Sequence, residues 1–263
     1  MQEFVRKRIR DGIVGRLIGK WLNAGVMEEG ELHYPESGTP QGGVISPMLS
    51  NIYLHEVLDQ WYESEVQQRL AGRSFLIRFA DDFVMGFERE VDAQRVLEVL
   101  GKRFERFHLK LHTDKTRIVD FRRPKAADRG ATFEFLGFCH YWGRSRKGRR
   151  IVKQKTAKSR LTRSLKRIAE WCRDHRHDPL ADQQRALGLK LRGHYSYFGL
   201  TGNLRSLEMF FLGVCLRWFK WLRRRSRKRD LSWDRFNRLL LRYGLPVPRV
   251  VHSVYRCMGE SSP

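Results

Sequence analysis

The sequence predicts an α+β fold in its first half, followed by an α-helical and strongly basic second half. Three observations carry this. Two short β-type runs, Phe75–Phe79 and Phe83–Phe87, flank an Ala-Asp-Asp turn. Beyond about Trp142, apolar residues recur mainly at helical spacing. Charge also divides along the chain. Residues 1–138 hold 21 basic and 21 acidic residues, whereas residues 139–263 hold 31 and 8, so the whole excess of +23 lies in the second part.

Taken in order, residues 4–25 read as a helix with Phe4, Ile9, Ile13, Leu17, Ile18 and Trp21 near one face. Gly25 to Gly38 is a turn-rich connection. Ser46-Pro47 is a helix start, with serine as N-cap and proline at the first helical position. Leu49, Ile52, Tyr53, Val57 and Trp61 then form its apolar stripe. The two runs around Asp81 and Asp82 read as a hairpin with both carboxylates at its tip. A helix with Val96, Leu100, Phe104 and Phe107 on one face follows. Ile118–Phe121 and Phe133–Phe138 are further candidate strands. Strands, helix and strands in mixed order suggest an α+β layer rather than alternating βαβ units. After Trp142, three amphipathic helices are marked by Leu161/Leu165/Ile168/Cys172, by Leu187/Leu191/Tyr195/Phe198, and by Leu204/Leu207/Phe211/Val214/Trp218/Trp221. Asp178-Pro179 and Gly199–Gly202 punctuate them, which predicts a small antiparallel bundle.

With 263 residues and 41% hydrophobic content the chain has material for a real core. Its longest apolar run, Met209–Leu222, is interrupted by Arg217 and Lys220 and is too short and charged to span a bilayer. The opening MQEFVRKRIRDG has no apolar segment of the secretory type. The four cysteines (Cys139, Cys172, Cys215, Cys257) are scattered without a C-x-x-C pair, which argues against a disulfide framework and a zinc knuckle and fits a reducing compartment. A basic half joined to a neutral half is the pattern of a polyanion-binding module beside something else, and nucleic acid is the default polyanion.

Two segments carry candidate chemistry. Side chains alternate along a strand, so adjacent acids normally face opposite ways; at a turn both can reach one solvated pocket. Carboxylate oxygens are hard ligands suited to Mg2+. Asp is also an ordinary turn residue, and the dipeptide Asp81-Asp82 by itself leaves both readings open. The second segment is Gly38-Thr39-Pro40-Gln41-Gly42-Gly43, where glycines permit close backbone approach and Gln41 can hydrogen-bond a ligand, or where the chain simply loops into the next helix.

In combination, GTPQGGVISPMLSNIYLHEVLDQW, FLIRFADDFVMGF, LKLHTDKTRIV and FEFLGF closely resemble the later palm motifs of group II intron reverse transcriptases/maturases. KSRLTRSLKRIAEW, LRGHYSYFGLTGNL and FNRLLLRYGLPVPRVVH resemble that family's thumb/maturase domain and tail. The resemblance implies a partial palm over residues 1–143, an α-helical thumb/maturase RNA-binding domain over 144–232 and a C-terminal tail over 233–263. It implies RNA-directed DNA polymerase activity with Mg2+, deoxynucleoside triphosphates, an RNA template with a DNA primer, and structured intron RNA as partner. Residue by residue, Asp81 and Asp82 resemble the metal-binding pair and Pro40, Gln41 and Gly42 the nucleotide/template loop. Lys115 resembles the lysine near the triphosphate, a candidate proton donor to pyrophosphate, and Leu136 and Gly137 the primer-grip turn. Phe79 stands where the family most often has tyrosine. QGG rather than an S-Q loop favours the intron branch.

The family also uses a third carboxylate on an earlier strand. Only about forty residues precede the QGG loop, and their sole Asp, Asp11, lies in a basic helical stretch. The expectation is therefore a chain that starts inside the palm, lacks the third acid, and does not synthesise DNA without a palm/fingers fragment or second subunit. No Cys/His metal spacing follows Val250, so no HNH-type nuclease is expected. Between Arg144 and Arg167 twelve basic residues occur with no acid, and a second cluster runs from Arg217 to Arg229. Arg149, Arg150, Lys153, Lys158, Arg163, Arg167, Arg223 and Arg224 are the expected RNA contacts, on amphipathic helices lining a phosphate track. Trp142 and Tyr197 are candidate base-stacking rings, whereas Tyr195, His194 and the Trp218/Trp221 pair are expected to serve packing. The resemblance implies a cytoplasmic, RNA- or nucleoid-associated bacterial protein without membrane contact. The alternative functions are a non-catalytic intron-RNA-binding splicing factor and an inactive relic.

Overall fold

The computed structural model describes residues 1–22, 45–125, 128, 130–225 and 231–253, together with the backbone of two short strands, β1 (Val26–Glu28) and β2 (Glu31–His33), which pair antiparallel. The polypeptide divides into two compact units, Met1–Ile118 and Val119–Pro263.

The first unit opens with α1 (Gln2–Arg8) and α2 (Gly12–Leu22) rather than one continuous helix. The break has a local cause. The Asp11 carboxylate accepts hydrogen bonds from the backbone N–H groups of Ile13 (2.7 Å) and Val14 (3.1 Å), which makes it the N-cap of a new helix. Helix α3 (Ser46–Leu54) starts at Ser46 itself, with Ile45 in the cap position. It runs on through two π-helical turns, His55–Asp59 and Tyr62–Val66, and ends in a 3-10 turn at Gln67–Arg69. Strands β3 (Ser74–Phe79) and β4 (Asp82–Phe87) form the expected hairpin, and α4 (Glu90–Arg106) follows. One core holds the unit together. Val57, Leu58, Trp61, Tyr62 and Val66 from the long helix meet Val96, Leu100 and Phe104 of α4, with Leu76, Phe83, Met85 and Phe87 of the hairpin closing over them. A smaller cluster of Val5, Ile18 and Leu49 packs the first helices against α3. The expected strand at Ile118–Phe121 does not form, and those residues are irregular.

In the second unit β5 (Phe133–Phe135), β6 (Phe138–Arg144) and β7 (Arg150–Thr156) make an antiparallel sheet in that order. The single strand expected over Phe133–Phe138 is thus two strands reversed at Leu136–Gly137, and the basic residues from Arg144 to Lys155 lie on a β-hairpin, not on a helix. Alternation explains this: in RIVKQKT the side chains of Ile151 and Lys153 fall on one face and those of Val152 and Gln154 on the other, a period of two that charge counting hides. Helices α5 (Lys158–Asp174), α6 (Leu180–Phe198) and α7 (Leu204–Leu222) match the three expected ones, and a fourth, α8 (Trp233–Arg242), forms in the tail. Its N-cap is Ser232, whose hydroxyl accepts from the Arg235 amide. Ile168, Cys172, Leu187, Leu191, Tyr195, Leu207, Phe210, Val214, Trp218 and Phe236 form the shared core. The buried thiols of Cys172 and Cys215 are pushed up to about 12 and about 11 by desolvation, so they act as small apolar groups.

Three buried polar side chains lock this unit. Asn203 accepts from the Thr156 amide (2.9 Å) and donates to the Thr156 hydroxyl (2.9 Å) and to the Phe198 carbonyl (2.8 Å), which joins the end of β7 to the α6–α7 corner. The Trp218 indole donates to Gln183, whose amide donates to the Asp178 carbonyl (2.8 Å). His194 lies stacked on Phe210 with ring centroids 3.6 Å apart, and burial lowers its pKa to about 4. Past α8 the chain returns along the helices. Tyr195 donates to the Pro246 carbonyl, and the amides of Val251 and His252 both donate to the Gly199 carbonyl.

Two outcomes follow for stability. Asn203→Ala leaves buried donors and acceptors without partners and is expected to cost about 2–3 kcal/mol, read as a lower urea midpoint at unchanged slope. His194 is neutral in the folded protein down to about pH 4, whereas it takes up a proton near 6.5 once unfolded. Unfolding thus binds a proton between these values, and stability contributed by the neutral ring is present above pH 6.5 and lost on acidification toward 4, by about 3 kcal/mol at the limit. His194→Phe should flatten that part of the pH–stability curve.

Candidate functional site

The hairpin resolves the puzzle of two adjacent acids. Phe79 pairs with Asp82, which leaves Ala80 and Asp81 as a two-residue loop. Asp81 is therefore at the tip and Asp82 is the first residue of β4, and both are exposed. Ala80 has φ +54°, the left-handed conformation at the first loop position that matches the twist of tight hairpins. A residue with a Cβ pays about 1–2 kcal/mol to adopt it. Neither the Asp81 nor the Asp82 carboxylate has a hydrogen-bond or ion-pair partner among the described residues. Alternation sends Leu76 to the core and Phe75, Ile77 and Phe79 to the other face, where they are 53%, 52% and 66% exposed. Their cross-strand partners are Gly86, Val84 and Asp82, so an apolar strip runs along the outer face and ends at a carboxylate. The Phe75 ring lies directly over Gly86, where a Cβ would come within 2.3 Å of it.

Arg78 is the exception on the inward face. Its guanidinium forms a fork with Asp59, Nε to Oδ1 at 2.7 Å and Nη2 to Oδ2 at 2.6 Å. Its Nη1 donates to Asn51 Oδ1 (2.9 Å) and to the Ala80 carbonyl (2.8 Å). The Asp59 carboxylate holds this guanidinium further above its already high range, chiefly through the hydrogen bonds.

The other expected site residues are distributed as follows. Lys115 is exposed in a short turn of the first unit, its amide donating to the His112 carbonyl. Pro40, Gln41 and Gly42 lie outside the described residues. Asp11 is engaged as a helix cap. Among the described residues no group of three His, Cys, Asp or Glu side chains is gathered closely enough to hold a metal ion. The donors that fit a hard cation are the two unpartnered carboxylates of the hairpin, a partial set whose remaining positions water or substrate oxygens would fill.

In the second unit, Leu136 (φ +50°) and Gly137 (φ +77°) form the loop between β5 and β6, both left-handed, the signature of a type I′ turn. The Tyr197 hydroxyl donates to the Leu136 carbonyl (3.0 Å) and the Ala157 amide to the Gly137 carbonyl (2.9 Å). Helices α5 and α6 therefore fix this turn. Tyr197, expected as a stacking ring, thus also ties the turn to α6, a contact that its sequence neighbourhood does not signal. The ring is 54% exposed and lies parallel to Phe138. Trp142 is stacked on Phe121 at 5.6 Å and donates its indole N–H to the Phe121 carbonyl, so its role is packing of the sheet, not a base platform.

Of the expected RNA contacts, Arg163 and Arg167 are exposed on α5, opposite the face that Leu161, Leu165, Ile168 and Cys172 bury, and Lys158 is exposed at the first residue of that helix. None of the three has an ion-pair partner within 4.0 Å among the described residues. Arg149 is exposed in the β6–β7 turn, and Lys153 lies on β7 against Gly143. Arg150 donates to the Lys125 and Asp128 carbonyls and so anchors the preceding segment. Arg223 and Arg224 follow α7 and are exposed, Arg224 with its guanidinium 5.1 Å from the Trp221 ring centre.

Residues 2–140 match the family model of reverse transcriptase (RNA-dependent DNA polymerase). The chain is 35% identical over 178 residues to protein YkfC of Escherichia coli (strain K12), covering 56% of this chain and 44% of YkfC. It is 49% identical over 53 residues to the group II intron-encoded protein LtrA of Lactococcus lactis subsp. cremoris, covering 20% of this chain and 9% of LtrA. It is 47% identical over 57 residues to an uncharacterized 91 kDa protein in cob intron of Schizosaccharomyces pombe, covering 22% and 7%. The chain thus spans less than half the length of these curated relatives, and the matches agree with the resemblance read from its motifs.

The geometry separates unpartnered side chains from those that a turn depends on. Asp81→Asn removes no contact and should change unfolding free energy by less than about 0.5 kcal/mol. Gly137→Ala forces a Cβ onto a left-handed residue and should lower it by about 1–2 kcal/mol. Denaturant melts of the two variants check both.

Proposed function

Because the chain belongs to the reverse transcriptase family, we propose that it is a palm-and-thumb segment of a group II intron-type RNA-directed DNA polymerase and maturase. Within it, residues 1–143 act as palm, 144–232 as thumb and RNA-binding domain, and 233–263 as tail. The observation that carries the reading is the pair of unpartnered carboxylates, Asp81 and Asp82, at the end of a rigid hairpin in a chain of this family.

Reverse transcriptases use Mg2+, and Asp81 and Asp82 are the residues that would hold it here, Asp81 from the tip and Asp82 from the strand end. Bound there, the ion would supply Lewis-acid activation of a primer 3′-hydroxyl and charge stabilisation for the departing pyrophosphate. The chain's own contribution is positional. The hairpin places two oxygen-bearing groups on adjacent residues at its end, beside the apolar strip of Phe75, Ile77 and Phe79. Lys115 is proposed to donate a proton to pyrophosphate and Pro40, Gln41 and Gly42 to seat the nucleotide and template. Leu136 and Gly137, fixed by Tyr197, are proposed to hold the primer strand. Arg163 and Arg167 place cations one turn apart on one face of α5, and Lys158 adds a third at its start. With Arg149, Arg150, Lys153, Arg223 and Arg224 they would neutralise successive phosphates of structured intron RNA.

The deciding assay supplies Mg2+, deoxynucleoside triphosphates and a primed RNA template, with and without a polypeptide contributing a third palm carboxylate. Extension is expected in the supplemented reaction and is expected to fall at least 100-fold with Asp81→Ala, as for loss of a metal ligand. Retained extension in that variant refutes the assignment. A second reading, a splicing factor that binds intron RNA without polymerising, draws on the two-carboxylate donor set. It is supported if extension is absent in every mixture while Asp81→Ala splices normally. RNA affinity should fall steeply with salt in either case. Neutralising about six phosphates gives a log–log slope of about −4 to −5, and replacing Arg163 and Arg167 by Gln should reduce its magnitude by about 1–2. Titrations at several salt concentrations measure both.

A further inference from the structure

We propose that Arg78 is the positioning residue of the carboxylate turn, fixing the peptide that leads into Asp81 by tying its carbonyl to the α3 segment. The proposal rests on the reading of Asp81 and Asp82 as metal ligands and goes beyond it, to the part of the chain that presets them.

Asn51, His55 and Asp59 stand four residues apart along one helical segment, and all three are polar where their neighbours Val57, Leu58 and Trp61 are buried in the core. Arg78 faces this polar stripe from β3. Asp59 takes the fork, and His55 Nδ1 lies 3.3 Å from the same carboxylate. Asn51 is itself oriented, because its Nδ2 donates to the Pro47 carbonyl (3.0 Å), leaving its oxygen toward Arg78. The guanidinium and carboxylate are only 13% and 19% exposed. One bond remains, from Nη1 to the Ala80 carbonyl at 2.8 Å.

That last bond is what a purely structural ion pair does not need. The peptide group is planar, so fixing the Ala80 oxygen fixes the plane through which the chain enters the Asp81 Cα. It falls on the residue whose left-handed φ of +54° is costly and must be held by its surroundings. A buried ion pair is also a poor way to gain stability, since well-packed apolar side chains of similar size serve as well or better. An inward arginine in an otherwise apolar strand is explained by geometry at the turn. Lysine cannot replace it, because one ammonium cannot span the Asp59 fork, Asn51 and the Ala80 carbonyl together.

The test uses Mn2+ alone as probe, followed by paramagnetic broadening of the Asp81 and Asp82 amides, with thermal unfolding recorded for every variant. Arg78→Lys is expected to bind Mn2+ at least tenfold more weakly, in line with loss of a group that orients metal ligands. The decisive variant is Arg78→Met combined with Asp59→Leu, which removes the pair without leaving a buried charge. It should unfold at or near the wild-type temperature and still bind Mn2+ at least tenfold more weakly. Wild-type Mn2+ affinity in this double variant, with Asp81→Ala abolishing binding, overturns the positioning role and leaves the hairpin assignment standing. Mn2+ bound equally well by Asp81→Ala overturns the assignment itself.

Discussion

An arginine on the inward face of an apolar strand constrains everything around it. Because strand side chains alternate, a shift of β3 by one residue would carry Arg78 to the solvent face and leave Asp59 buried without its cation, a penalty of about 3–5 kcal/mol. The same shift would drive Phe79 inward and turn Leu76 out of the core it shares with Phe83 and Met85. The pair therefore pins register, register sets which two residues form the loop, and the loop sets where Asp81 stands. The long α3 segment supplies both halves of this constraint, apolar residues for the core and Asn51 and Asp59 for the guanidinium.

The second unit solves a different problem, that of carrying dense positive charge on a folded body. Its helices concentrate burial on one face and cations on the other. Within α5, Ile168 and Cys172 are buried while Arg163 and Arg167, in the same turns, are exposed. Like charges at such spacing repel, and the helix persists because apolar contacts with α7 outweigh that repulsion. Asn203, with three hydrogen bonds and no exposure, ties the last strand to the helices at the point where the sheet gives way to the bundle.

What could be read from residues alone followed from period and motif. The three helices after Thr156 were legible because each carries an apolar stripe at regular spacing, and the β3–β4 hairpin because two apolar runs flank Ala80-Asp81-Asp82, of which Asp82 proves to belong to the strand. Family membership was legible from motif order. Asp11 ended the first helix by capping the second, a competition between local hydrogen bonding and helix periodicity that spacing alone does not weigh. Strand β7 was hidden by its charges. The Arg78–Asp59 pair joins residues 19 apart, and the Tyr197–Leu136 bond residues 61 apart. No local pattern encodes either partner. One signal was nonetheless present: a charged residue at an inward strand position requires a buried counterpart.

Several other aspartates are already engaged, in contrast to the hairpin pair. Asp11 is spent on a helix end, Asp59 on Arg78, the buried Asp92 on the Gly72 amide and Asp120 on Arg122. The Arg122 guanidinium holds the exposed Asp120 at about 2, a carboxylate committed to its partner. A group already satisfied by protein donors must give up those bonds before it can ligate a metal, and the affinity falls by what they contributed. Asp81 and Asp82 give up only water. Their cost has been moved elsewhere, to the left-handed Ala80 and to two like charges side by side, and the guanidinium that grips Ala80 from inside the unit is what allows the turn to hold both.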